Sequence, residues 1–322
     1  MERGNKRGGV NKIMNPILLS YIQGIKNVWT NKFLVGIMFV FKLVFSLILL
    51  FPLYIMFSTS FATNVKASNF LTWFDLSLLI DFVYYWRKTL SIYFFLFLLF
   101  CIMGVIVFIF LSGGFWGVLR DQVKKRSGDF SIDPSMTRME RFFGYCGKYF
   151  WGMLKIGLFM IILYVIALLL FLLFSSVFEA VAGKGSLWEF TSWRMVGKIL
   201  IGVILFFMVN MIGDYLRIFF VENYGERFGK ILKKTFRFLL TNLFSTLSLY
   251  YVLSVISVVV IFICLGLNTT IERIPGSGFI VFLTFLIQQT LVVFSSYYRL
   301  VYYSSEVVLY DKLSAKEDAV SP

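Results

Sequence analysis

The chain has 322 residues, of which 59% are hydrophobic, 20% aromatic and only 15% charged. Soluble domains have an apolar share nearer about 45–50%, so this composition excludes an ordinary soluble fold and points to a membrane protein. The net charge of +14 is explained by Lys and Arg in cytoplasmic loops and not by nucleic-acid binding, while the absence of His excludes the usual catalytic triads and zinc sites.

Six apolar stretches reach or approach the roughly 20 residues that a helix needs to cross the hydrocarbon core. They predict an all-α membrane fold in one polytopic domain, 1–322, with a short and frayed cytoplasmic tail at 304–322. The first stretch, about 25 residues long, follows a basic N-terminal region, so we expect a retained helix and not a cleaved signal peptide. The six predicted spans are 33–57, 91–117, 151–174, 197–221, 242–267 and 278–301.

The distribution of Lys and Arg predicts the orientation of these spans. The N-terminal region and the connectors 120–150 and 223–240 are strongly basic, whereas the opposite loops are nearly neutral. Both termini are therefore expected in the cytoplasm of a bacterial plasma (inner) membrane. The first outer loop, 69–86, is apolar but contains Asp75 and Asp81, so it predicts an interfacial helix and not a seventh span.

An amphipathic stretch precedes each odd-numbered span and opens with an N-cap type of residue, namely Asn15, Asp133 or Asn223. These stretches predict cytoplasmic elbow helices, with the chain repeating as three helical hairpins. The alternative is that any basic linker between spans looks amphipathic. Seven basic residues of the second and third elbows are candidate contacts for anionic lipid headgroups. They are Arg138, Arg141, Lys148, Lys230, Lys233, Lys234 and Arg237.

Polar side chains inside the predicted spans form a candidate intramembrane site. Lys42 and Asp214 fall at a similar depth, roughly 12–14 Å from the cytoplasmic end, so we expect them to pair or share a cavity. In the structural alternative, the cations extend to the interface and the other polar groups bond between helices to fix packing. The candidate residues are Lys42, Asn210, Asp214, Arg217, Gln288, Gln289 and Arg299.

Other motifs give weaker information. Gly113 and Gly117 have the spacing of a close helix contact, which we expect to be intramolecular. Gly213-Asp214 partly matches an intramembrane aspartyl protease motif, but the companion Tyr310-Asp311 lies outside the spans. Three cysteines show no disulfide or metal spacing. We therefore expect neither a catalytic site nor a metal or cofactor.

The segment 213–218 followed by Glu222, together with 113–121 leading into a basic linker, resembles uncharacterised six-helix membrane proteins of bacteria. This loose group includes the membrane domain attached to some glycerophosphoryl diester phosphodiesterases. The resemblance covers most of the chain and implies a six-helix fold. It does not imply phosphodiesterase activity, because the soluble catalytic domain of those enzymes is not part of the resemblance.

Two functions follow from these features. The first is transport or handling of a small solute or lipid through a cytoplasm-facing polar cavity that contains the intramembrane charges. The second is a non-catalytic scaffold or accessory protein that binds anionic lipid or an acidic partner through its basic elbows. We favour the first and leave the substrate, the energy source and the oligomeric state open.

Overall fold

Long apolar helices make up most of the chain, because a backbone in hydrocarbon has no water to bond and must pair its amides and carbonyls within the helix. The computed structural model describes residues 16–61, 76–127, 136–181, 189–272 and 278–320. Over these residues there are eight α-helices and no strand. In chain order they are α1 (Pro16–Thr30), α2 (Lys32–Phe61), α3 (Leu76–Ser127), α4 (Arg138–Val181), α5 (Glu189–Glu222), α6 (Phe228–Thr241), α7 (Leu243–Glu272) and α8 (Gly278–Val320).

Five of these helices are long and apolar enough to cross a membrane, which indicates a helical membrane protein. The five segments overlap the first five predicted spans. The predicted sixth span, 278–301, forms the first part of α8, which is not among the five, so it stays a prediction. The five segments are Lys32–Met56, Val83–Arg126, Arg138–Val177, Met195–Glu222 and Leu243–Leu267.

The chain divides into two compact units, one formed by 1–35 with 110–322 and the other by 36–109. In the smaller unit the Tyr93 hydroxyl donates to the Leu49 carbonyl at 2.6 Å. Lys42 belongs to this unit and is half-buried. The predicted interfacial helix at 69–86 lies partly outside the described residues, and its remainder forms the beginning of α3.

In the larger unit, the buried core gathers the ends of α3 and α5, the beginnings of α4 and α7, and the middle of α8. Helix α8 packs against α1 and α7, and α5 packs against α4 and α6. All residues from 301 to 310 of α8 are buried. The predicted frayed tail is therefore wrong over 304–310, because its Ser, Tyr and Glu side chains face the core and not water.

The short helix α1, Pro16–Thr30, ends at an asparagine that separates it from α2, while its predicted cap, Asn15, lies outside the described residues. Asn31 Nδ2 donates to the Asn27 carbonyl at 3.0 Å, and the Asn31 amide donates to the same oxygen at 3.2 Å. The Asn31 carbonyl accepts from the Leu34 amide at 3.0 Å. An asparagine side chain that bonds the preceding turn competes with the helical backbone, so one helix ends here and the next begins.

Helix α6 ends in the same way. Asn242 donates to the Phe238 carbonyl through Nδ2 at 3.3 Å and through its amide at 2.9 Å. The pair Thr-Asn precedes both α2 and α7 in the sequence. Two of the three predicted elbows are thus separate helices, while their location at the membrane surface and the threefold repeat stay predictions.

The start of the third elbow differs from the prediction. Asn223 does not cap α6, because its Nδ2 donates back to the Phe219 carbonyl at 3.0 Å at the end of α5. The chain then turns through Gly225, whose φ of 101° lies in the left-handed region that glycine adopts without strain. Helix α6 begins afterwards, with Arg227 in the N-cap position.

The second predicted elbow is not a separate helix, because 138–150 continues into the span as part of α4. The segment from Arg138 to Val181 contains neither Asn nor Pro, so nothing in it interrupts the helix. Its start is a capping box: the Thr137 amide donates to Glu140 Oε2 at 2.9 Å, and the Glu140 amide donates to Thr137 Oγ1 at 3.3 Å. The predicted cap, Asp133, lies outside the described residues.

Helices α3 and α4 pack closely at the predicted glycines. A Cβ atom added to Gly113 would lie 3.1 Å from Tyr149 Cβ, and one added to Gly117 would lie 2.6 Å from Tyr145 Cγ. Only a residue without a side chain permits this approach. The predicted intramolecular contact is confirmed, and it brings the basic ends of α3 and α4 together.

Candidate functional site

Two groups of charged residues lie in the buried core of the larger unit. The first, called the Arg120 cluster, joins α3, α5 and α8. Arg120 donates through Nε to Glu222 Oε2 at 2.5 Å and through Nη1 to Asp311 Oδ1 at 3.0 Å. Lys124 Nζ lies 3.3 Å from Glu222 Oε1. Two cations face two carboxylates, so this cluster is balanced in charge and ties three helices together.

The second group, called the Asp214 cluster, consists of Asp214 and Arg217 from α5 with Arg299, Tyr303 and Glu306 from α8. Asp214 Oδ1 accepts from Arg217 Nη1 at 2.5 Å and lies 3.8 Å from Arg299 Nη2. Arg299 Nε donates to the Tyr303 hydroxyl at 3.0 Å. The Asp214 side chain is 1% exposed, whereas those of Arg217 and Arg299 are 19% and 34% exposed. The carboxylate is therefore sealed inside while both guanidinium groups reach the surface.

Glu306 places a second carboxyl group in this cluster. It follows Arg299 by seven residues, about two helical turns, so the two project from the same face of α8. Glu306 is buried and interacts electrostatically with Asp214, Arg299 and Arg217. Burial, reinforced by the Asp214 carboxylate, raises the pKa of Glu306 well above its ordinary value, although the two arginines oppose this shift.

Several oxygen atoms of the cluster have unused hydrogen-bonding capacity. Within the described residues, Glu306 Oε1 and Oε2, Asp214 Oδ2 and the neighbouring Tyr215 hydroxyl have no hydrogen-bond partner. More than about 90% of buried polar groups are partnered in proteins, so such a concentration calls for an explanation. Charges between membrane helices commonly mark ion or substrate pathways. The Asp214 cluster is therefore the stronger candidate for a functional site.

Three residues of the predicted polar site, Asp214, Arg217 and Arg299, meet in this cluster. Asn210 lies one helical turn before Asp214, and its Oδ1 accepts from the Tyr164 hydroxyl at 2.9 Å. That bond joins α4 to α5 beside the cluster.

The remaining predicted polar residues do not join the described contacts of Asp214. Gln288 is exposed and Gln289 half-buried, and both lie on α8 at least ten residues before Arg299. Lys42 belongs to the smaller unit, so its pairing with Asp214 stays a prediction. Glu306 is not among the predicted site residues, because it lies in 304–322, the predicted tail. The available signal was one acidic residue within a run of Tyr, Val, Ser and Leu.

The predicted headgroup contacts of the third elbow lie on the exposed face of α6. Lys230, Lys233 and Arg237 are exposed there. Lys234 instead pairs with Glu226 at 2.7 Å, which stabilises the turn between α5 and α6. In the second elbow, Lys148 Nζ lies 5.0 Å from the ring centre of Tyr224 and covers the contact between Tyr149 of α4 and Tyr224 in the turn after α5.

The other two predicted headgroup contacts, Arg138 and Arg141, line a cavity of about 410 Å³. Lys125 and Arg126, from the last turn of α3, also line this cavity. This cavity is called the basic groove. Its remaining lining residues are Thr30, Asn31, Phe33, Val118 and Gln122.

The five apolar helices and the buried charges between helices define the class: a helical integral membrane protein with a charged cluster in its core. Comparison with protein-family models, curated protein sequences and solved structures gave no match. The resemblance to the membrane domain of glycerophosphoryl diester phosphodiesterases thus stays a prediction.

Proposed function

We propose that the protein transports a small solute or moves a lipid, with the Asp214 cluster as its polar binding site. The observation that carries this proposal is the pair of buried carboxyl groups, Asp214 and Glu306, whose oxygens are incompletely bonded within the described residues. The Arg120 cluster provides the contrast, because Glu222 meets a cation with each of its two oxygens. An ion pair that serves only to hold helices together needs no carboxylate oxygens without hydrogen-bond partners.

The chemistry of the cluster favours a zwitterionic ligand. Arg217 and Arg299 carry guanidinium groups, which bind carboxylate or phosphate oxygens in bidentate geometry. The unpartnered oxygens of Asp214 and Glu306 can accept hydrogen bonds from an ammonium group. An amino acid and an aminophospholipid headgroup both combine these two charges.

Binding at this cluster requires the helices to separate, since the Asp214 side chain is only 1% exposed. Arg299, at 34% exposure, is the cluster charge that a ligand would meet first. Opening between α5 and α8 would then expose Asp214 and Glu306 together. We further propose that 278–301 supplies a sixth span and that the basic ends of the helices face the cytoplasm of a bacterial plasma membrane.

The test uses purified full-length protein in liposomes and two probes, radiolabelled alanine and fluorescent phosphatidylethanolamine. We expect one probe to cross faster than in protein-free liposomes. Asp214→Asn and Arg299→Gln should each slow that movement by about tenfold or more, because a hydrogen bond to a charged group contributes about 1.5–3 kcal/mol.

Lys155→Gln is the matched control, since it removes an exposed cation of α4 outside the cluster. This variant should retain the wild-type rate. If neither probe crosses faster than in protein-free liposomes, or if Lys155→Gln slows movement as much as Arg299→Gln, the transport proposal is wrong. If the protein is instead a scaffold, Asp214→Asn should leave its binding of anionic lipid or of an acidic partner unchanged.

A further inference from the structure

The basic groove concentrates positive charge in a space suited to a small anion. Its volume of about 410 Å³ lies within the range of about 300–1,000 Å³ that is typical of small-ligand sites. Lys125 and Arg126 reach it from the end of α3, and Arg138 and Arg141 from the start of α4. Close packing of α3 and α4 at Gly117 brings these two helix ends together.

These four cations have little local compensation. None of the groove's lining residues is acidic, and over the described parts of the chain none of the four cations forms a salt bridge. One carboxylate, Asp121, interacts electrostatically with Arg141, but its Oδ2 also accepts from the Tyr145 hydroxyl at 2.5 Å. Among the described residues the groove therefore has a net positive charge, which favours an anionic ligand.

The groove lies at the level where two apolar segments end. Val118 in its lining directly follows the predicted second span, 91–117, and Phe33 opens the predicted first span, 33–57. Lipid phosphates lie just outside the hydrocarbon core, at this same level. The positive charge and the expected cytoplasmic location both match a leaflet that is rich in anionic lipid.

Exposed apolar side chains flank the groove in the sequence. Trp29 precedes Thr30, and Met139 and Phe143 lie beside the two groove arginines of α4; all three are exposed. Phe33 in the groove wall packs edge-on against Phe142, with ring centres 6.4 Å apart. A free phosphate ion would leave this apolar surface uncovered, whereas the glycerol and acyl chains of a lipid would cover it.

We propose that the basic groove is a binding site for the phosphate-bearing headgroup of an anionic phospholipid, with the acyl chains along the adjoining apolar surface. Arg138 and Arg141 suit bidentate contact with phosphate oxygens, and Lys125 and Arg126 supply further charge. The groove shares no residue with the Asp214 cluster. This site is therefore independent of the transport proposal.

Native mass spectrometry of the purified full-length protein tests the site. Phosphatidylglycerol is titrated against phosphatidylcholine, which carries the same phosphate without net charge. We expect phosphatidylglycerol to bind more tightly to the wild type, and Arg138→Gln with Arg141→Gln to weaken it about 30-fold, since each basic residue contributes about 1 kcal/mol near an anionic surface. Lys125→Gln with Arg126→Gln, at an exposed helix end, should have a similar effect. This second variant tests the site even if the Arg138 and Arg141 substitutions prevent folding.

The matched control is Lys230→Gln with Lys233→Gln, which removes the same charge from the exposed face of α6. If this control pair weakens binding as much as the groove pairs, a dedicated site is ruled out and only general surface attraction remains. Inorganic phosphate and glycerol 3-phosphate distinguish the source of the anion. If either displaces the lipid at equal concentration, the groove binds a soluble phosphate and the lipid assignment is overturned.

Discussion

The middle of α8 and the second half of α4 belong to the same unit but are stabilised in different ways. All residues from 301 to 310 of α8 are buried by other helices, although they include Ser304, Ser305 and Glu306. In α4, Leu168, Leu169, Leu172 and Leu173 are all exposed. The polar segment thus lies within the protein, while the apolar segment requires lipid around it.

This difference follows from the solvent of a membrane protein. Lipid tails are as apolar as leucine, so leucine surfaces gain little by packing together, and association depends on close packing and on polar contacts. The buried core has both, with glycines at helix contacts and charges between helices. If these contacts hold the helices together, substitutions in the buried core should lower the free energy of unfolding more than substitutions at exposed positions.

The largest effect is expected for Arg120→Leu. This change leaves Glu222 and Asp311, whose side chains are 24% and 35% exposed, without the guanidinium that joins α3, α5 and α8. Removing one partner of a fully buried ion pair costs about 3–5 kcal/mol, and because these carboxylates are only partly buried we expect a loss at the lower end, about 3 kcal/mol. The free energy of unfolding in mixed micelles measures the loss. Lys124→Leu is the control, because its side chain is 35% exposed and an exposed pair contributes about 0–1 kcal/mol. Equal losses would show that the Arg120 cluster does not hold the core together.

A smaller effect is expected for Gly24→Ala at the contact between α1 and α8. A Cβ atom added there would overlap Ser305 Oγ and lie 3.0 Å from the Ser305 amide nitrogen. Overpacking of this kind costs about 1–3 kcal/mol, measurable in the same unfolding experiment. At Gly144 nothing lies within 4 Å, so Gly144→Ala should stabilise α4 by about 0.5–1 kcal/mol through helix propensity. A stabilised Gly24→Ala variant would refute close packing at this contact.

The hydropathy pattern located the central part of each long helix but not its ends. The predicted second span, 91–117, lies inside α3, which runs from Leu76 to Ser127. Charged residues such as Arg87 and Arg120 end an apolar run without ending a helix, because they add no helix-breaking geometry. The Thr-Asn pair before α2 and α7 was a readable signal of a helix boundary, and its mechanism is the asparagine bond to the preceding turn.

Part of the candidate site was also predictable. Asp214, Arg217 and Arg299 stood out because charges are rare in apolar spans. Glu306 was not predictable in this way, since it lies beyond the last apolar run and only the tertiary packing of α8 buries it. The burial of a polar segment depends on partners from distant parts of the chain, which local composition does not contain.

The smallest effect is expected at the edge of the core, where α8 contacts α1. Lys312 Nζ donates to Ser20 Oγ at 3.2 Å, and burial lowers the pKa of Lys312 to about 8, against a smaller opposing effect of Asp311. The unfolded lysine has a pKa of about 10.4 and holds more protons than the folded one between these values, so this group makes stability rise with pH from about 8 to about 10. Lys312→Met should remove that rise, as measured by melting temperature against pH, while exposed Lys230→Met should keep it. If the rise persists in Lys312→Met, the burial of Lys312 is not its cause, and this part of α8 lies at the protein surface and not at the edge of the core.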